Sequence, residues 1–87
     1  MDATAAMHEI RRLALQWRIE VVGHARQRLR ERGADRGDVR NALMGCTKCT
    51  ASDDGPGRWK VWGEDLDGDE LRVIVVIEAD AVVVTLF

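Results

Sequence analysis

Residues 24–33 read HARQRLRERG, one histidine and four arginines in ten positions. On a helix, residues four apart stack into stripes, so His24, Arg28 and Arg32 share one stripe and Arg26 and Arg30 a second. Ala25 and Leu29, also four apart, face a core. Like charges at that spacing repel by roughly 0.2–0.5 kcal/mol per pair, and Glu31 offsets only part of this. The stripe is cheap when a polyanion lies along it. A neutral imidazole beside arginines is a workable general base for a ribose 2′-hydroxyl, while guanidinium forks hold the phosphate. The competing reading has His24 capping the helix and the arginines paired with Asp35, Asp38 and the acidic C-terminal half.

A second constellation lies in RWKVWGED, residues 58–65. Strand alternation puts Arg58, Lys60 and Trp62 on one face and Trp59 and Val61 on the other. Trp59 and Trp62 flank Lys60, an aromatic–basic interleave of the kind that stacks single-stranded bases. Trp62, on the basic face, is the exposed candidate, and Trp59 belongs to the core. Cys46 and Cys49 form CTKC. Zinc needs four ligands, and only His8 and His24 could complete the set. If residues 46–50 form a strand, the two thiols also point to opposite faces. They are therefore read as structural, with no metal or cofactor expected. The acidic run EDLDGDE lacks the register of a calcium loop and reads as a solvated turn.

The elements that must position these residues follow from period and punctuation. Residues 3–17 form an amphipathic helix, with Asp2 as N-cap and Ile10, Leu13, Ala14 and Trp17 on its apolar stripe. RIEVVG is a short strand or extended link. A second helix covers 24–32 and ends at Gly33. Asp35 caps a third over 36–44, with Val39, Ala42 and Leu43 inward and Gly45 terminating it. The period then switches. CTKCTASD is a weak strand, DDGPG a loop, RWKVWGED a strand, LDGD a hairpin turn, ELRVIVVIE a buried middle strand and AVVVTLF the last strand. The expected fold is α+β: N-terminal helices on one face of a small antiparallel sheet.

Eighty-seven residues, 46% of them hydrophobic and 32% charged, fit one thin-cored domain spanning 1–87 and exclude a disordered chain. The longest apolar run, 73–77, is too short to cross a bilayer. The start lacks the pattern of a signal peptide, so a cytoplasmic protein with no membrane partner is expected. Net charge is −2, but residues 1–50 carry +4 and residues 51–87 carry −6. Eleven of the thirteen basic residues are arginine, the side chain that reads phosphate bidentately. Codon usage in a GC-rich genome is the competing explanation of that excess.

GHARQRLRERGADRGDVRNAL resembles the signature of a small bacterial family known as domain of unknown function 4258, HAxxRhxxRGh followed by a DVxxAL helix. The matching residues are His24, Ala25, Arg28, Leu29, Arg32, Gly33, Asp38, Val39, Ala42 and Leu43. More distantly, the order of elements and the terminal VVVTLF resemble the MqsR-type toxins, mRNA endonucleases of the RelE-like fold. That resemblance implies a metal-independent endoribonuclease of a type II toxin–antitoxin pair. Its partners would be single-stranded RNA and a cognate antitoxin with a zinc-finger and helix-turn-helix domain. By position it implies functional roles for Lys48, Lys60 and Arg72, while the toxins' strand tyrosine and the lysine after their final Phe are missing here. The chemistry is therefore assigned to His24, Arg28 and Lys60, with Arg32, Lys48, Arg58, Trp62 and Arg72 holding RNA. The alternative is a non-catalytic RNA- or protein-binding module using the same face.

Overall fold

The computed structural model describes residues 1–53 and 55–87; Asp54, inside the expected DDGPG loop, lies outside the described residues. The chain runs α1 (Ala3–Leu15), β1 (Ile19–Val21), α2 (Gly23–Arg32), α3 (Arg36–Met44), β2 (Lys48–Ala51), β3 (Arg58–Glu64), β4 (Glu70–Ile77) and β5 (Ala81–Leu86). The fold is α+β, three helices with a five-stranded sheet.

The helices start and stop where their side chains say they should. Asp2 Oδ1 accepts the Ala5 N–H at 2.8 Å and opens α1. Gly33 ends α2 at φ 73°, a left-handed conformation that glycine adopts without a Cβ penalty. Asp35 and Asp38 form a reciprocal capping box at the start of α3, each side chain accepting the other's backbone N–H. Trp17 departs from expectation. α1 ends at Leu15, and Trp17 takes φ 60° as the chain folds back through Arg18 N–H to Leu13 C=O at 2.8 Å and Trp17 N–H to Ala14 C=O at 3.0 Å. This is a Schellman-type stop without glycine. Its indole leaves the apolar stripe, stays 46% exposed, and lies under the Arg40 guanidinium, whose Cζ is 4.4 Å from the ring centre. Arg40 also closes the helix end, donating to the carbonyls of Ala14 at 3.0 Å and Leu15 at 3.1 Å.

The sheet order is β1-β5-β4-β3-β2. β2 to β5 form the expected antiparallel meander. β1 corrects the rest of the expectation: it lies parallel to β5, Ile19 opposite Ala81 and Val21 opposite Val83, so the sheet is mixed. Ile19 and Val21 are buried and Glu20 is exposed, so this three-residue strand needs an apolar neighbour, and the last strand supplies one. The outward edge of β1 is closed by α2 and α3: Arg36 donates to Ile19 C=O at 3.0 Å and Arg26 to Val21 C=O at 3.3 Å.

One core lies between the helices and one sheet face, built from Ile10, Leu13, Val39, Leu43, Val61, Leu71, Val73, Val75, Val83 and Leu86 with their smaller neighbours. α3 approaches the sheet at Gly63, where a Cβ would stand 2.1 Å from Ala42 O. Among the described residues no helix covers the opposite sheet face, which carries polar residues of β2 and β3 together with Trp62 and Ile74.

Candidate nucleic-acid interface

α2 presents its arginines as the helical spacing requires, with Ala25 and Leu29 buried and His24, Arg28 and Arg32 outside. His24 is the second residue of the helix rather than its cap, which is Val22 with no side-chain bond. Arg28 Nε donates to His24 Nε2 at 2.9 Å. A guanidinium can only donate, so Nε2 is the bare ring nitrogen and Nδ1 holds the proton. Both side chains are exposed.

Arg32 is held differently. Its Nη2 donates to Glu70 C=O at 2.6 Å and reaches Asp65 Oδ2 at 3.4 Å. Asp65 is 7% exposed, and its Oδ1 accepts the N–H groups of Asp67 and Asp69, each at 2.9 Å. The Asp69 N–H above all, with the Asp67 N–H and Arg32, holds this carboxyl below the usual carboxylate range against the opposing effect of burial. The acidic half of the chain thus takes Arg32 but not Arg28. Asp35 and Asp38 serve the α3 cap instead, and Asp38 Oδ1 also accepts Leu66 N–H at 2.9 Å. The expected solvated turn, EDLDGDE, is exposed at every residue but Asp65, and through Arg32 and Asp38 it is tied to α2 and α3.

On the helix-free face, cross-strand register builds three rows. Lys48 is opposite Trp62 and Trp62 opposite Arg72. Arg72 and Phe87 exchange both backbone hydrogen bonds at 2.8 Å, which brings Phe87 to the end of that row. The next row is Thr50, Lys60, Ile74 and Thr85. Arg58 begins a third beside Val76. Cations sit over the two rings. The Lys48 ammonium is 4.6 Å and the Lys60 ammonium 5.1 Å from the Trp62 ring centre. The Lys60 ammonium also lies 5.1 Å, and the Arg72 guanidinium 5.5 Å, from the Phe87 ring centre. Arg72 additionally pairs with Glu70 at 3.1 Å. Trp59 packs against the core, as its place on the other face requires.

Part of these rows lines a groove of about 530 Å³, with Trp62 and Phe87 among its walls and Thr50, Lys60, Ile74 and Thr85 contributing. Ile74 is only 3% exposed although it stands on the face away from the helical core. A smaller groove of about 230 Å³, bordered by Arg28, Glu31, Arg32, Leu86 and Phe87, adjoins it at Phe87. The helix stripe and the basic sheet face therefore meet at one ring. Of the expected site residues, Lys60 and Trp62 line the larger groove, Arg28 and Arg32 border the smaller, and Lys48 and Arg72 join this tract by stacking on Trp62 and Phe87. His24 joins it through Arg28, and Arg58 stands at its far end.

Phe87, Thr50 and Thr85 carried no role in the sequence reading. Strict alternation from Ala81 sends Phe87 to the core side; the register shift opposite Ile74 and Val75 reverses it. The cysteines also depart from expectation. Cys46 precedes β2, so alternation does not apply to it, and both thiols lie on the core side. Burial pushes both up, Cys49 to about 11, with neighbouring Cys46 adding to the effect. Neither forms a disulfide. Among the described residues no group of three or more His, Cys, Asp or Glu side chains could hold a metal, and no helix is long and apolar enough to cross a membrane.

No curated protein and no solved structure matches the chain. A family model does, over residues 22–87, a span that holds α2 to β5 and every residue of the tract. The chain belongs to the family described as Domain of unknown function (DUF4258).

Proposed function

We propose that this protein is a toxin-like, metal-independent endoribonuclease of a type II toxin–antitoxin pair that takes single-stranded RNA across the helix-free sheet face. The observation that carries the reading is the unbroken tract from His24 and Arg28, over Phe87, to Lys60, Trp62, Arg72 and Lys48. Aromatic rings interleaved with cations suit a single strand, because rings stack bases and cations meet phosphates.

The chemistry assigned to the tract is 2′-hydroxyl attack. Arg28 exchanges His24 Nε2 for a phosphate oxygen as RNA arrives. The freed imidazole nitrogen takes the 2′-hydroxyl proton, and the 2′-oxygen attacks phosphorus. The bond to the 5′-oxygen breaks, and that oxygen takes a proton from the Lys60 ammonium, leaving a 2′,3′-cyclic phosphate and a 5′-hydroxyl. Arg28 and Arg72 hold the non-bridging oxygens as their charge grows. Lys48, Arg58 and Trp62 hold the flanking strand, and Arg32 fixes the hairpin that borders it. The partner that silences such an enzyme is an antitoxin covering the same face.

One observation favours a second reading, a non-catalytic RNA-binding module: the lone pair of His24 Nε2 is already taken by Arg28. Induced expression separates the two. The enzyme reading expects growth arrest from the isolated chain and relief by His24→Ala with soluble yield unchanged. Harmless expression of abundant folded wild type would leave the binding module.

A further inference from the structure

We infer that the groove between Trp62 and Phe87 is a base-selecting pocket for guanine, with Asp53 as the selecting residue. The inference rests on the RNA reading above and names what its central groove admits. The groove's volume, about 530 Å³, falls within the range of about 300–1,000 Å³ typical of small-molecule sites. Two aromatic side chains and the nearly buried Ile74 give it apolar surfaces suited to a flat ring. Its polar groups include the Thr50 and Thr85 hydroxyls and the Asp53 carboxylate.

The carboxylate is the informative member. The charged side chains over the two rings, Lys48, Lys60 and Arg72, are all positive. An acid there repels phosphate, so it does not serve the backbone. Among the described residues no cation pairs with Asp53, so it is not consumed by an internal ion pair. What it suits is a base edge that donates. Guanine alone among the four bases presents two adjacent donors on its Watson–Crick edge, N1–H and the exocyclic N2–H, which match the two oxygens of one carboxylate. Its O6 and N7 acceptors then match hydroxyl donors such as Thr50 and Thr85. Uracil offers one donor between two carbonyl oxygens that the carboxylate repels. Adenine and cytosine each offer one amino group beside a ring nitrogen acceptor. Bases of single strands are read on such edges once unstacked.

The β-bulge is a second feature consistent with a built pocket. The register shift between Ile74 and Val75 turns Thr85 and Phe87 onto this face, and bulges commonly re-aim side chains beside functional sites.

The test is fluorescence anisotropy of end-labelled hexauridylate and of three variants carrying one A, C or G at the third position. A 2′-fluoro sugar at each nucleotide removes the attacking hydroxyl while keeping an RNA-like sugar pucker. The inference expects the G-containing strand to bind wild type at least about tenfold more tightly than the other three, the scale of one good bidentate base contact. Asp53→Asn should remove that preference and let hexauridylate bind at least as tightly as it binds wild type, because the repelling charge is gone. Thr85→Val should weaken it partly. Circular dichroism melts check that both variants are folded, and the wild-type preference decides the matter even where a variant is not. Equal binding of all four strands overturns guanine selection and leaves the RNA reading standing. No binding of any strand overturns both.

Discussion

Arg28 and Arg32 stand one turn apart on α2 yet serve different partners. Among the described residues the hydrogen-bond partner of Arg28 is a histidine on its own helix, whereas Arg32 ties α2 to the carbonyl of Glu70 and to Asp65. Their alanine variants should therefore fail in different ways. Arg28→Ala should leave the melting temperature nearly unchanged and lower the slope of log affinity for single-stranded RNA against log salt by roughly 0.7, one phosphate contact. Arg32→Ala should depress the melting temperature by several degrees. Arg26→Ala, whose guanidinium faces Val21 C=O, should leave the salt slope alone. An unchanged slope in Arg28→Ala would mean that this arginine does not face phosphate. Asp65 adds a pH signature. Its folded-state value is depressed, so its contribution is complete above the ordinary aspartate value of about 3.9 and is lost as pH falls through the lower folded value. Asp65→Asn should lower stability at neutral pH and flatten the acid limb of a melting-temperature profile. An acid limb identical to wild type would contradict the assignment.

At the scale of elements, α3 meets β3 tightly at one glycine. Gly63 is where Ala42 O meets the sheet, and a methyl group there overlaps backbone that cannot swing aside. Gly63→Ala should cost more than the roughly 1–3 kcal/mol of ordinary overpacking, read by chemical denaturation. A loss below about 1 kcal/mol would show that α3 can shift. Most elements were legible because each had a local signal: the capping aspartates, Gly33, and the switch from helical to alternating period. The pairing of β1 was not, since a three-residue strand finds its partner 62 residues on, and no local pattern encodes that. Trp17 fitted the apolar stripe by spacing alone, but the helix stopped two residues earlier, where Arg40 meets its final carbonyls. The face shared by Arg58, Lys60 and Trp62 followed from alternation. Phe87 escaped the same rule because one bulge inverts the parity of everything after it.

Taken whole, the molecule puts its apolar mass and all three helices on one side of the sheet and leaves a cationic, aromatic face on the other. Its net charge of −2 conceals this, because five acids, Glu64, Asp65, Asp67, Asp69 and Glu70, sit at the β3–β4 hairpin end and six more lie in residues 1–50. The central claim is that this face receives RNA and that His24 beside it starts the cleavage. The most direct measurement is incubation of purified protein with labelled single-stranded RNA in excess chelator, followed by analysis of fragment ends. The account predicts fragments with 2′,3′-cyclic phosphate and 5′-hydroxyl ends at an undiminished rate in chelator, slowed about 100-fold or more by His24→Ala. Intact RNA under wild-type protein that binds it, or cleavage equally fast with His24→Ala, would contradict it.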